Sequence, residues 1–186
     1  FGNTVPTSFL RLVPHQEAPT AICWGDRNRS VLVRVPLGWQ NIDDSMFRDA
    51  NPAEPPIDEL LNDSQTVELR SPDGSAAVHL LLAGIAVAAR IGLTEPGMAD
   101  YARERKVDGD ASQTPDLDQL PGSCFEAAGR LLTQREDYEA KGVFPAGLID
   151  SWASHLVALG DVHLRDDLAD SRISVEELVE RYFHIG

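Results

Sequence analysis

Apolar and polar positions change period several times along this 186-residue chain, and each change predicts an element. Residues 19–24 (Pro-Thr-Ala-Ile-Cys-Trp) and 31–36 (Val-Leu-Val-Arg-Val-Pro) are short and rich in β-branched or aromatic residues. With the polar run Gly25-Asp26-Arg27-Asn28-Arg29-Ser30 between them, they predict an antiparallel strand pair. Residues 66–70 alternate with period two, so Val67 and Leu69 face one way and Thr66, Glu68 and Arg70 the other, as in a third strand. Residues 37–65 hold five Asp, two Glu and the proline-rich Asn51-Pro-Ala-Glu-Pro-Pro56, the composition of a long loop.

Beyond the turn Ser71-Pro72-Asp73-Gly74 the pattern becomes helical. Residues 75–91 are apolar nearly all round, which predicts a helix buried in a core. The stretch carries His79, Gly84 and Arg90 and falls short of the roughly 20 apolar residues that span a bilayer. Residues 94–122 read as a Gly-, Pro- and Asp-rich connection with a short helix around Met98 to Lys106. Ser123-x-x-Glu126 and Ser174-x-x-Glu177 are capping boxes that open helices of about fifteen and ten residues. Lys141-Gly142 closes one helix, and Pro145 stands where the first turn of another is expected. The fold class is therefore α+β: a few antiparallel strands in residues 1–70, then a mostly helical 71–186.

Charge narrows the function. Sixteen Lys plus Arg against thirty Asp plus Glu leave a net charge of -14, too acidic for broad binding to nucleic acid or an anionic membrane. Yet residues 1–36 hold four Arg against Glu17 and Asp26, a net of +2, while 94–186 hold nine basic against nineteen acidic residues, a net of -10. Only Lys106 and Lys141 are lysines, so the positive charge is almost all guanidinium, the group suited to bidentate contacts with carboxylate and phosphate. Two cysteines about a hundred residues apart do not form a disulfide framework, which points to a reducing, cytoplasmic compartment. No signal-peptide pattern is visible at the N-terminus, and a start on Phe1 rather than Met is expected of a fragment.

The sharpest local feature is Glu68 and Arg70 on one strand face. Two readings fit it: a simple ion pair, or a carboxylate that binds a metal beside an arginine that binds an anionic substrate. Arg11, Arg29 and Arg34 could converge on the same region, and clustered guanidinium groups are best tolerated when a polyanion fills the space. The remaining features have plainer readings. His79 is expected as a hydrogen-bonded core or interface residue, and Cys23 and Cys124 as inert buried thiols. His155, His163 and His184 lack ligand spacing. Residues 161–170 read as a solvated acidic face, and Trp24, Trp39 and Trp152 as core or interface residues.

The runs Phe9-Leu-Arg-Leu-Val-Pro-His-Gln-Glu-Ala-Pro19, Asn28-Arg-Ser-Val-Leu-Val-Arg-Val-Pro36 and Glu68-Leu-Arg-Ser-Pro-Asp-Gly-Ser-Ala76, with the later Gly142-Val-Phe-Pro145, resemble the C-terminal part of the glutamine synthetase catalytic domain. The resemblance implies that residues 1–186 are that portion, with the N-terminal domain and an upstream catalytic segment absent. It implies ATP-dependent ligation of glutamate and ammonia through a γ-glutamyl phosphate. Arg11 and Arg70 would bind glutamate, Arg29 and Arg34 the phosphates of ATP, and Glu68 a Mg2+ or Mn2+ ion, with Arg29 also catalytic. Glu17 would lie on a loop that closes over the substrate. It further implies no nucleic-acid or membrane partner and a homo-oligomeric parent, expected as a ring dodecamer with active sites between subunits.

The departures carry expectations too. Compact members carry an Arg and a Lys near the nucleotide where this chain has Thr66 and Asp63, and His15 replaces a usual Gly. Asp118-Gln119-Leu120-Pro121 contains no Tyr, so regulation by adenylylation is expected to be absent. Glu68 is the single metal ligand this chain supplies in the family pattern, so the chain alone is expected to be inactive. Two alternatives stay open: a γ-glutamyl-amine or polyamine ligase, and a non-catalytic homologue serving assembly or regulation.

Overall fold

The computed structural model describes residues 1–14, 18–36, 45–54 and 66–184. Helix α1 (Pro6–Leu10) starts on a proline in its first turn, where the missing N–H costs nothing, and buries Ser8 and Phe9. It is followed by β1 (Trp24–Asp26) and β2 (Val33–Val35), helix α2 (Ser45–Ala50), and β3 (Glu68–Leu69). Helix α2 lies inside the segment expected to be a loop; residues 37–44 and 55–65, including Trp39 and Asp63, lie outside the described residues. The three strands form one small sheet in the order β1-β2-β3. Together with the helices that follow, it makes the chain α+β, as its pattern predicts.

The sheet is mixed. β2 and β3 are antiparallel, with Val33 opposite Leu69 and Arg34 opposite Glu68. β1 and β2 are parallel, Trp24 opposite Val33 and Asp26 opposite Val35, which corrects the antiparallel expectation. The reason lies in the connection. Arg27 takes a left-handed φ of 56°, which turns the chain immediately after β1, while its backbone N–H closes the parallel ladder on Val35 O at 2.7 Å. Asn28 Nδ2 then fastens the loop to Val107 O (3.0 Å) and Gly109 O (2.7 Å), and Val31 plugs into the core at full burial. The chain thereby returns to the start of β1 before β2 begins.

Helices make up most of the remainder: α3 (Val78–Thr94), α4 (Met98–Glu104), α5 (Cys124–Thr133), α6 (Arg135–Glu139), α7 (Leu148–Ala158), α8 (Leu164–Ala169) and α9 (Val175–Tyr182). The Ser174–Glu177 capping box of α9 is complete in both directions. At α5 the Ser123 hydroxyl accepts from Glu126 N, while the Glu126 carboxylate reaches one residue further, to Gly122 N. The expected fifteen-residue helix is split at Gln134 into α5 and α6, and α7 begins three residues after Pro145, on Gly147 in the left-handed region.

Three apolar clusters hold these elements together. Phe9 and Leu12 pack with Cys124 and Ala128 of α5 and Ala153 and Leu156 of α7. Ala21, Cys23 and Val31 pack with Val107 and Ala111 beneath the sheet. Val87 of α3 packs with Leu131, Phe144 and Ile149. Helix α3 is thus not buried all round: Val78, Leu82, Ile85 and Leu93 are exposed, and Val87 is its one residue with a buried side chain. At about 100° per residue those four fall within one narrow arc opposite Val87. His79 is likewise exposed, which corrects its core reading. No single helix among the described residues is long and apolar enough to cross a membrane.

Candidate active site

The antiparallel register of β2 and β3 sets Arg34 directly across from Glu68. Arg34 Nη1 donates to Glu68 Oε2 at 3.1 Å. From two residues along the chain, Arg70 Nε approaches Glu68 Oε1 at 3.4 Å, so Glu68 and Arg70 project from the same face. One carboxylate therefore carries a guanidinium on each oxygen, and the group has a net charge of +1. The Glu68 side chain is 44% exposed, so the ion pairs contribute little to stability. Arg70, by contrast, is only 11% exposed. Its Nη1 and Nε, and Nε of Arg34, are buried without a hydrogen-bond partner among the described residues. Buried donors left unmet cost about 1–3 kcal/mol each, and an anion is the kind of acceptor that planar guanidinium groups bind best.

Arg11 follows α1 and is fixed from the other side of the same loop. Its Nη2 donates to Asn3 Oδ1 (3.3 Å) and to the carbonyl of Ser71, the residue after Arg70; Asp73 Oδ2 lies 3.7 Å from Nε. Asp73 and Ser75 hold that loop in shape. Asp73 Oδ1 accepts from the Ser75 backbone N–H (2.9 Å) and hydroxyl (2.7 Å), an Asx-type turn. Ser75 is tied in turn to Thr4, through its Oγ (3.1 Å) and its carbonyl (2.6 Å), and to the Ser8 hydroxyl (3.0 Å). The loop after β3 is thus stitched to the segment that carries Arg11, which brings Arg11 and Arg70 into one neighbourhood.

Arg29 sits exposed on the connection between β1 and β2. Glu17, expected on the closing loop, and His15 lie outside the described residues. Sequence reasoning missed Asn3, Asp73 and Ser75 as supports, although Ser71-Pro-Asp-Gly-Ser75 has the composition of a self-bonded turn and carries the signal.

Metal binding needs several ligands, and among the described residues no three His, Cys, Asp or Glu side chains gather as a cage. The described part of the chain can lend the Glu68 carboxylate, at present bound by two arginines, and does not build a divalent-metal site by itself. The thiols offer no nucleophile. Burial pushes Cys23 up from the usual thiol value despite a hydrogen bond with the Leu32 backbone, and burial, followed by the charge of Asp161, pushes Cys124 well above it. An open recess of about 380 Å³, lined by Phe1, Phe9, Leu12 and Leu131 among others, touches Asn3 and Ser71 but none of Arg34, Glu68 and Arg70. The arginine cluster, not this recess, is the candidate site.

Comparison with known proteins identifies the family. The family profile "Glutamine synthetase, catalytic domain" matches residues 1–156. The chain is 33% identical to a glutamine synthetase of Pyrococcus abyssi and 30% identical to one of Thermococcus kodakarensis, in each case over 98% of this chain. It spans 38% of the first and 37% of the second. A glutamine synthetase of Salmonella typhimurium is 28% identical over 81% of the chain, which spans 28% of that protein.

Proposed function

This chain belongs to the glutamine synthetase catalytic-domain family, and we propose that it supplies the C-terminal part of the active site of an ATP-dependent glutamate–ammonia ligase. The observation that carries the reading is the convergence of Arg34 and Arg70 on Glu68, with buried guanidinium donors left unmet. In the proposed reaction a side-chain carboxylate oxygen of glutamate attacks the γ-phosphorus of ATP, and ADP leaves. Ammonia then attacks the acyl carbon, phosphate departs with the oxygen, and the nitrogen gives up a proton.

The family resemblance assigns the roles of this chain's residues, and their charges suit those roles. Arg11 and Arg70 bind the carboxylate of glutamate as planar forks. Arg34 and Arg29 face the transferring phosphoryl group, whose stabilisation is a matter of positioning and electrostatics. Glu68 lends one carboxylate to a divalent cation whose other ligands come from outside the described residues. Glu17 belongs to the segment that shields the acyl phosphate from water. The chain spans under two fifths of the length of these relatives; the proposal has the site completed by further residues of a longer protein, which the family resemblance makes homo-oligomeric and cytoplasmic, and the isolated chain inactive.

The test is γ-glutamyl hydroxamate formation from glutamate, ATP and hydroxylamine, run on the full-length protein and on residues 1–186. The full-length protein should form product, Glu68→Ala should reduce its kcat by at least about 100-fold, and the isolated chain should form none. Full activity of the isolated chain would end the idea of a partial site, and unchanged turnover in Glu68→Ala would make the chain a non-catalytic homologue. A parallel assay with ammonia and a panel of amines identifies the acceptor.

A further inference from the structure

Arg165 lies on α8, beyond the residues that match the catalytic-domain profile, and 154 positions from Arg11 in the chain. Much of the residue is exposed, yet its guanidinium is spent on backbone: Nη2 donates to Phe9 O at 2.6 Å and to Leu12 O at 3.3 Å. These two carbonyls flank Arg11. Phe9 O also accepts from Leu12 N at 3.1 Å as α1 ends, so the arginine adds a cation to the C-terminal end of that helix, where positive charge is favoured.

Its own anchorage is firm. Leu164 N donates to Asp161 O at 3.1 Å, and the buried Asp161 carboxylate accepts from the backbone of Cys124 and Phe125 on α5. A continuous path therefore runs from α5 through Asp161 and Arg165 to the backbone on both sides of Arg11. The guanidinium of Arg11 is held at its far end by Asn3 and Ser71. Without Arg165, that far end is still bonded but the backbone beneath it is free to shift, and Leu12, Val13 and Pro14 line an open groove into which it can move.

We propose that Arg165 is a positioning residue for substrate: it fixes the backbone around Arg11 and so sets the aim of the guanidinium that binds glutamate. The inference rests on the reading of Arg11 given above. Its signature is selective, because Arg34, the phosphate-side arginine on the sheet, bonds Glu68 across the strands rather than the backbone around Arg11. Loss of Arg165 should weaken glutamate binding and leave ATP binding alone.

The experiment uses the full-length protein with Arg165→Gln, Arg165→Lys and, as reference, Arg11→Ala. KM is measured for glutamate and ATP together with Tm. Arg165→Gln should raise the glutamate KM about 5–10-fold with the ATP KM within about twofold of wild type, a displacement effect rather than loss of a contact. Arg165→Lys, which can still donate to one carbonyl, should fall between the two. Glutamate and ATP KM rising together, or neither changing, would overturn the proposal; if the Gln variant does not fold, the same split read on the Lys variant decides. Should Arg11→Ala raise the glutamate KM while both Arg165 variants leave it unchanged, positioning alone is wrong. Should Arg11→Ala itself leave that KM unchanged, the glutamate-binding reading of Arg11 falls, and the proposal with it.

Discussion

The carboxylate of Asp161, 6% exposed, accepts from the backbone N–H groups of Cys124 at 2.6 Å and Phe125 at 3.2 Å. It caps the first turn of α5 from 36 to 37 residues away, while Ser123 caps the next amide from within the chain. Two orphan donors of the helix are thereby satisfied by an anion placed where the helix dipole favours it. Asp161→Ala should cost about 1–3 kcal/mol in urea denaturation at pH 7, since one buried and one part-buried amide lose their acceptor. Asp161→Asn, which keeps one acceptor oxygen, should cost less; a loss under about 0.5 kcal/mol for the Ala variant would show the cap to be dispensable. This role was not legible in the sequence. Asp161 stands in an acidic run with Asp166, Asp167 and Asp170, whose composition reads as a solvated face, and only the fold brings it against Cys124. Arg34, Glu68 and Arg70 lie at the opposite extreme: strand alternation plus residue chemistry sufficed to put Glu68 and Arg70 on one face.

At the scale of elements, local rules were legible and pairing direction was not. The serine caps at Ser123 and Ser174, of which only Ser174 forms a complete box, and the short helix α4 follow from residues within a few positions of each other. The parallel pairing of β1 and β2 depends instead on the left-handed turn at Arg27 and on Asn28 reaching Val107 and Gly109, contacts about eighty residues distant. Gly25 shows how tightly that arrangement is packed. β1 is held between β2 and residues 105–107, with Trp24 N donating to Arg105 O at 3.0 Å and Val107 N to Trp24 O at 2.8 Å. A Cβ on Gly25 would collide with the Val107 carbonyl oxygen, whereas one on Gly92 in α3 would meet nothing within 4 Å. Gly25→Ala should therefore destabilise by about 1–3 kcal/mol, because backbone must shift. Gly92→Ala should stabilise by about 0.5–1 kcal/mol through helix propensity. Opposite signs in paired thermal or urea melts are the expected result, and a neutral Gly25→Ala would mean that β1 can move away from residues 105–107.

At the scale of the whole molecule, two properties oppose each other. The net charge of -14 keeps copies of the chain apart, with the acids concentrated in the helical part. Against this, α3 presents Val78, Leu82, Ile85 and Leu93 on one exposed face, at 58%, 59%, 41% and 87% exposure, and Leu69 of β3 and Val67 just before it are exposed too. An all-round apolar helix was read from the sequence as buried, and the structure buries only the face that meets Val87's cluster. An apolar stripe of this kind costs free energy in water and drives association. Isolated residues 1–186 should accordingly bind the dye ANS and self-associate in sedimentation velocity, more so in about 0.5 M NaCl, where the Debye length falls to a few ångströms and like-charge repulsion is screened. Leu82→Glu should reduce both effects without loss of helical circular dichroism, because Leu82 points away from Val87. A chain that stays monomeric at high salt and binds no dye would mean that the α3 face is covered in solution by the chain's own residues.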